Sequence, residues 1–98
     1  MAESLSHKRA ANKIADKYNT EYNDQKGVDI NTRGIAVEVE TEGNVKRGIQ
    51  QLQGHKKPVY IAGANAATVK EALEATQNNS VGVMDKDGNI LKRSTRKK

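Results

Sequence analysis

Residues 28–42 read Val-Asp-Ile-Asn-Thr-Arg-Gly-Ile-Ala-Val-Glu-Val-Glu-Thr-Glu, an apolar–acidic alternation wrapped around a single turn signal. Period-2 alternation is the mark of a strand with two unlike faces, and Asn31-Thr32-Arg33-Gly34 supplies turn chemistry, with glycine where positive φ is often required. A two-residue loop of Arg33 and Gly34 then sets the register. Asp29 falls opposite Glu38, Val28 opposite Val39, and Ile30 opposite Val37. One face carries Val28, Ile30, Ile35, Val37 and Val39; the other carries Asp29, Glu38, Glu40 and Glu42. Like charges directly across a sheet are destabilising. An acidic face of this kind either holds a cation or is a solvated surface.

The rest of the chain is poor in large apolar residues. Its 98 residues make one small domain, with 35% hydrophobic content, no Phe, no Trp and three Tyr. So thin a core favours association that buries more area, and a homodimer is expected. The absence of Cys excludes disulfides, thiolate metal sites and thiol catalysis. No apolar run approaches the ~18–20 residues of a membrane span, and the N-terminus lacks a signal-peptide core. The expectation is a soluble, cytoplasmic protein without membrane contact.

Charge adds a partner class. The formal net charge is +5, and five of the last seven residues are Lys or Arg. Lys8-Arg9, Lys46-Arg47 and Lys56-Lys57 are further basic pairs. Basic clusters around an acidic strand face suit a polyanion, most simply a nucleic-acid backbone; a solvated surface with a disordered tail is the plainer alternative.

Along the chain, residues 1–5 are read as disordered, and Ser6 caps a helix running to about Tyr18 with Ala10 or Ala11, Ile14 and Tyr18 at helical spacing. Thr20-Glu21-Tyr22 suits a short strand, and strands follow at about 27–32 and 34–42. Asn44 caps a helix with a buried stripe of Val45, Ile49 and Leu52, closed by Gly54 at C′. Pro58 opens a central strand, Val59 to Ala62. Asn65 caps a third helix at about 66–77, with Val69, Ala72, Leu73 and Thr76 inward. Val81 to Met84 and Asn89 to Lys92 pair around Asp85-Lys86-Asp87-Gly88. The domain spans 6–92, and 93–98 is a basic disordered tail.

In element order and in its acids the chain resembles the PD-(D/E)xK nuclease superfamily, the restriction-endonuclease-like fold. The nearest members are archaeal Holliday-junction resolvases and RecB-type nuclease domains. Gly27-Val28-Asp29-Ile30 resembles the motif in which an Asp begins the second core strand. Glu38-Val39-Glu40 fills the (D/E)-x-K triplet, and Gln51-Leu52-Gln53-Gly54-His55 is similar to the RecB-type Q-L-x-x-Y. The resemblance covers residues 7–92 and implies an α/β restriction-endonuclease-like core: a mixed central sheet, led by an antiparallel meander and flanked by helices. It also implies catalysis by Asp29, Glu38 and Glu40, with Mg²⁺ or Mn²⁺ held by Asp29, Glu38 and the Val39 carbonyl. Such an ion prefers oxygen ligands, keeps waters, polarises a phosphate and acidifies a bound water.

The chain departs from the family pattern twice. Glu40 stands where Lys is usual; it serves as general base or second-metal ligand, or it marks a chain that has lost cleavage. The acid that resolvase-like members carry on the first helix is missing from Ser6-His7-Lys8-Arg9, leaving Glu3 or His7 as substitutes. A lone His in a basic run is more often ordinary surface. Lys8, Arg9, Lys46, Arg47 and Gln51 are the candidate nucleic-acid contacts; Lys46 and Arg47 disfavour the helix start they occupy, which argues for a role there. Asp85 to Asn89 looks like half a calcium loop but lacks its length and its Glu, so a hairpin turn is the reading. Gly63-Ala64-Asn65 before a helix suits an anion, with no nucleotide motif beside it. The isolated Tyr residues offer no base-stacking platform. The expected function is a Mg²⁺-dependent DNA endonuclease or junction-resolving protein. Its rivals are a non-cutting nucleic-acid-binding module on the same fold and a small protein-interaction domain.

Overall fold

Strand and helix periodicities resolve into three layers in a computed structural model of the chain, which describes residues 5–23 and 28–96. Among these residues the elements run α1 (Leu5–Lys17), β1 (Ile30–Asn31), β2 (Ala36–Glu40), α2 (Val45–Gln51), β3 (Val59–Gly63), α3 (Ala66–Ala75), β4 (Gly82–Met84) and β5 (Ile90–Lys92). The five strands form one sheet in chain order. The β1–β2 and β4–β5 pairs are antiparallel, and β2, β3 and β4 run parallel. The protein is an α/β fold built on a mixed sheet flanked by helices. No helix among the described residues is long and apolar enough to cross a membrane.

Both faces of the sheet are covered, and β2 and β3 are buried along their whole lengths. On one face Ala10, Ala11, Ile14 and Ala15 of α1 pack against Ile30, Val37, Val39, Tyr60, Ala62 and Met84. On the other, Val45, Leu52 and Ala72 cover Ala36, Val59, Ile61, Val81 and Val83. Each fully buried Ile, Leu or Val contributes about 1.5–3 kcal/mol, so aliphatic packing carries this core. The small residues of α1 let that helix lie close to the sheet. It crosses from the β1 side, where His7 meets Asp29, to the β4–β5 turn, where Lys13 pairs with Asp87 and Lys17 Nζ donates to the Gly88 carbonyl.

The hairpin has the register its turn dictates: Ile30 lies opposite Val37 and Asn31 opposite Ala36. Arg33 and Gly34 form the loop, but Gly34 does not use positive φ; among the described residues the glycines that do are Gly43 and Gly88. Thr32 fastens the turn instead, its Oγ1 accepting from the Gly34 and Ile35 amides at 3.1 Å each. Lys57 Nζ clasps the same turn from the strand side, donating to Asn31 Oδ1 and the Thr32 carbonyl. The paired strands are shorter than expected, and Thr20-Glu21-Tyr22 forms no strand. Among the described residues the backbone bond between that segment's end and the hairpin runs from Asn23 N–H to the Asp29 carbonyl at 2.8 Å, where a ladder needs several. The expected three-strand meander is therefore a single hairpin.

Other departures have local causes. Val28 joins the α2–α3 side of the core rather than the α1 side, because the chain bends at Asp29 before the ladder begins. Leu73 is 36% exposed, and Thr68 fills the inward position, its Oγ1 donating to Asn65 Oδ1 at 2.8 Å. Asn65 caps α3 as expected, accepting from the Thr68 amide at 2.9 Å. Asn44 occupies the cap position of α2 without a side-chain cap bond; its Nδ2 donates to Thr41 Oγ1. That helix ends at Leu52 in right-handed conformation, so Gly54 is not a left-handed C′ glycine. The Asp85–Asn89 segment is a turn, with Asp85 Oδ1 accepting from the amides of Asp87 (2.9 Å) and Asn89 (3.0 Å) and Gly88 at φ 83°.

The expected disordered ends are partly ordered. Leu5 already belongs to α1, while residues 1–4 lie outside the described set. Ser94 Oγ accepts from the Val59 amide at 3.2 Å, and the Thr95 amide donates to the Ser80 carbonyl at 3.0 Å. Arg96 Nη1 donates to the Leu52 and His55 carbonyls at 2.7 and 3.0 Å, and its Nε to Ser80 Oγ at 3.1 Å. The end of α2 leaves carbonyls in need of donors, and the guanidinium fork answers them. Lys97 and Lys98 are outside the described residues. Arg96→Ala is expected to lower stability by about 1–3 kcal/mol, read as a fall in Tm by circular dichroism; an unchanged Tm would mean the docked segment carries no weight.

Candidate functional site: a buried carboxylate cluster

Strand alternation decides where the acids go. Val37 and Val39 face α1, so Glu38 and Glu40 face α2, and both are nearly closed to solvent at 4% and 9% exposure. The acidic side of the hairpin is thus roofed by a helix rather than solvated. Asp29, at the bend before β1, meets Glu38 where the ladder stops. The Asp29 amide donates to Glu38 Oε1 at 3.0 Å, and the Val39 amide donates to Asp29 Oδ2 at 2.9 Å. These reciprocal bonds stand where the next cross-strand bonds would be, and they hold two carboxylates together that would otherwise repel.

His7 reaches the cluster from α1. Its Nε2 lies 3.3 Å from Asp29 Oδ2, and its ring stands edge-on to Tyr22 with centroids 6.0 Å apart. Burial, and then the Asp29 charge, push the Glu38 carboxyl up to about 9. The same two causes push Glu40 up to about 7, against the opposing pull of His7 and Arg47. A carboxyl near 7 is poised for proton transfer at neutral pH.

Glu40 has room because α2 presents Gly48. A Cβ on Gly48 would lie 2.7 Å from Cγ and Oε2 of Glu40 and 2.8 Å from Ile61 Cδ1. Glycine inside a helix costs about 1 kcal/mol relative to alanine, and here that cost accompanies space for a buried carboxyl.

Of the residues expected at the site, the structure brings Asp29 and Glu38 together and buries Glu40 on the same face of β2. Val39 turns its side chain into the core and gives its N–H to Asp29. Arg47 and Gln51 are exposed and one turn apart, so they share the flank of α2 beside Gly48. Lys46, also exposed, lies away from that flank by helical spacing. Lys8 and Arg9 are exposed on α1, one and two residues past His7. Sequence reasoning passed over Gly48 and weighed His7 as ordinary surface. His7 had a signal, standing four and seven residues before Ala11 and Ile14 on the buried stripe; Gly48 had one as a glycine inside a helical pattern.

Among the described residues no group of three or more His, Asp or Glu side chains is arranged to hold a metal ion. Mg²⁺ takes one or two carboxylates and completes its shell with water, so the Asp29–Glu38 pair is a donor set of the kind that suits it. No family model, curated protein or solved structure matches this chain.

Proposed function

We propose that this protein is a Mg²⁺-dependent phosphodiesterase acting on DNA, on a core of restriction-endonuclease type. The observation that carries the reading is the contact of Asp29 with Glu38 and with His7, with Glu40 buried on the same face of β2, in a basic protein. Burying like charges together is strongly unfavourable unless a cation or proton offsets them.

Asp29 and Glu38 would hold the ion, Mg²⁺ or Mn²⁺, and their backbone bonds fix the carboxylates in place for it. When bound, the ion polarises the scissile phosphate and acidifies a water. Glu38 must give up its proton to serve as a ligand, which ties metal affinity to pH. Glu40 takes the part of general base, its carboxyl kept near 7 by burial. His7 donates toward Asp29 Oδ2 and orients that carboxylate. Arg47 and Gln51 on α2, with Lys46, Lys8 and Arg9, offer contacts to the DNA backbone. Cutting both strands asks for two such sites, and a homodimer is part of the proposal.

A second reading is a module that binds nucleic acid without cutting it. It is favoured by Glu40 in place of Lys and by the way Asp29 and Glu38 satisfy one another's neighbouring amides. The two readings separate in one experiment on labelled duplex, single-stranded and four-way-junction DNA, with Mg²⁺ or Mn²⁺ and with chelator. Metal-dependent cutting, reduced on the order of 10³-fold in Asp29→Ala, is the expected result. Salt-sensitive binding without cutting selects the second reading, and neither binding nor cutting overturns both.

A further inference from the structure

The carboxyl ends of β2, β3 and β4 point the same way, and open parallel sheets take their ligands at that end. A groove of about 550 Å³ runs there between α1 and the strand ends. Its lining includes Ser6 and Arg9, Lys13, Ala64, Lys86 and Asp87. It lies beside the end of β2 that carries Glu40: Ser6 precedes His7 in α1, and the Ala64 amide donates to the Glu40 main-chain carbonyl at 3.0 Å. It opens into a second hollow of about 440 Å³, which shares Ala64, Lys86 and Asp87 and continues to Val69 and Leu91.

We infer that this groove carries the phosphate backbone of the nucleic-acid strand that reaches the carboxylate cluster, with Lys13 and Lys86 as phosphate contacts alongside Arg9. The inference rests on the proposed nuclease reading and extends its binding surface from Arg9 along α1 to Lys13 and across to Lys86. Three features favour a polyanion over a small anion or an acidic peptide side chain. The lining holds three cations, Arg9, Lys13 and Lys86, against the single carboxylate of Asp87. Arg9 and Lys13 stand one helical turn apart, about 6 Å along α1, so they meet a repeating charge rather than one ion. The groove is open to solvent and runs on into the second hollow through Ala64, Lys86 and Asp87 instead of closing on a pocket. Asp87 is the opposing element: its Oδ1 lies 2.7 Å from Lys13 Nζ, and this contact must yield when a phosphate takes the lysine.

That competition gives the test a sign that misfolding cannot imitate. Binding of the full-length protein to a labelled DNA duplex is followed by anisotropy, in chelator, at about 50 and about 200 mM salt. Lys13→Ala with Lys86→Ala is expected to weaken binding and to reduce the slope of log K against log salt by about 2. Asp87→Asn is expected to tighten binding roughly threefold. It leaves the turn intact, since the Asp87 backbone amide, not its side chain, binds Asp85. Lys70→Ala, on the exposed side of α3, is the control and should leave the slope unchanged. Wild-type affinity and slope in the double variant, or weaker binding by Asp87→Asn, overturns the groove while leaving metal-dependent cleavage as a separate fact. No duplex binding by the unaltered protein at the lower salt overturns the groove and the nuclease reading together.

Discussion

On the proposed nuclease reading, metal-dependent cleavage is expected to fall on the order of 10³-fold in the Glu38→Gln protein, while the metal-free fold becomes more stable above neutral pH. The two effects have one origin. In the unfolded chain the Glu38 carboxyl ionises near its ordinary 4.5, and in the fold only near 9, because burial and the Asp29 charge oppose its ionisation. Between those values the folded chain keeps a proton that the unfolded chain has released. The unfolded state then binds fewer protons, and stability falls as pH rises through the window. Glu40 adds a smaller fall that ends near 7. Glutamine removes the Glu38 contribution: it keeps an oxygen for the Asp29 amide and offers an N–H to the Asp29 carboxylate. Thermal unfolding in chelator should show equal Tm values near pH 4.5 and a variant at least about 5 °C more stable at pH 8. Adding Mg²⁺ should raise the wild-type Tm and leave the variant's unchanged. Parallel pH dependences for the two proteins would mean that Glu38 is not buried as a proton-holding acid.

Gly82→Ala is expected to be strongly damaging. A Cβ at Gly82 would lie 2.5 Å from the Lys92 carbonyl oxygen, 2.5 Å from Tyr60 Cε1 and 2.6 Å from the Ser94 amide nitrogen. Two of those atoms are backbone and have no rotamer to escape into. Relief requires β5 and the segment after it to move off β4, which also withdraws Ser94 and Arg96 from Val59, Ser80 and the end of α2. Overpacking of a core position usually costs 1–3 kcal/mol; with backbone in the way the expected loss is at least about 3 kcal/mol, a Tm drop above about 10 °C. Gly34→Ala is the matched control. A Cβ at Gly34 would have nothing within 4 Å, and the residue's φ is not positive, so the effect should stay within about 0.5 kcal/mol.

The hairpin was legible because its information is local: alternation marks the strands, and a two-residue loop leaves one register in which Asp29 faces Glu38. The helix over residues 5–17, the central strand after Pro58 and the Asp85–Gly88 turn were legible for the same reason. What escaped depends on partners distant in sequence. Strand alternation separates Glu38 and Glu40 from the valines but does not say that a helix carrying Gly48 will roof them. Thr20-Glu21-Tyr22 has strand-forming residues, yet extended chain becomes a strand only beside a ladder, and Asn23 reaches the hairpin with its amide and its side chain rather than through a ladder. A basic tail reads as solvated until three oxygen acceptors, from Leu52, His55 and Ser80, are seen to converge on Arg96. His7 was visible in the helical spacing but outweighed by its basic neighbours.

The reciprocal bonds between Asp29 and Glu38 make one equilibrium of two events that are usually separate. The amides of Asp29 and Val39 end on carboxylates rather than on carbonyls, so drawing a carboxylate outward opens the end of the hairpin, and closing the hairpin draws the carboxylate back. Whatever the acids bind is therefore coupled to strand closure, and such coupling is reciprocal by thermodynamic necessity. The clasp of Lys57 on Asn31 and Thr32 holds the turn end of the same hairpin, so it acts on strand closure from the end opposite the carboxylates.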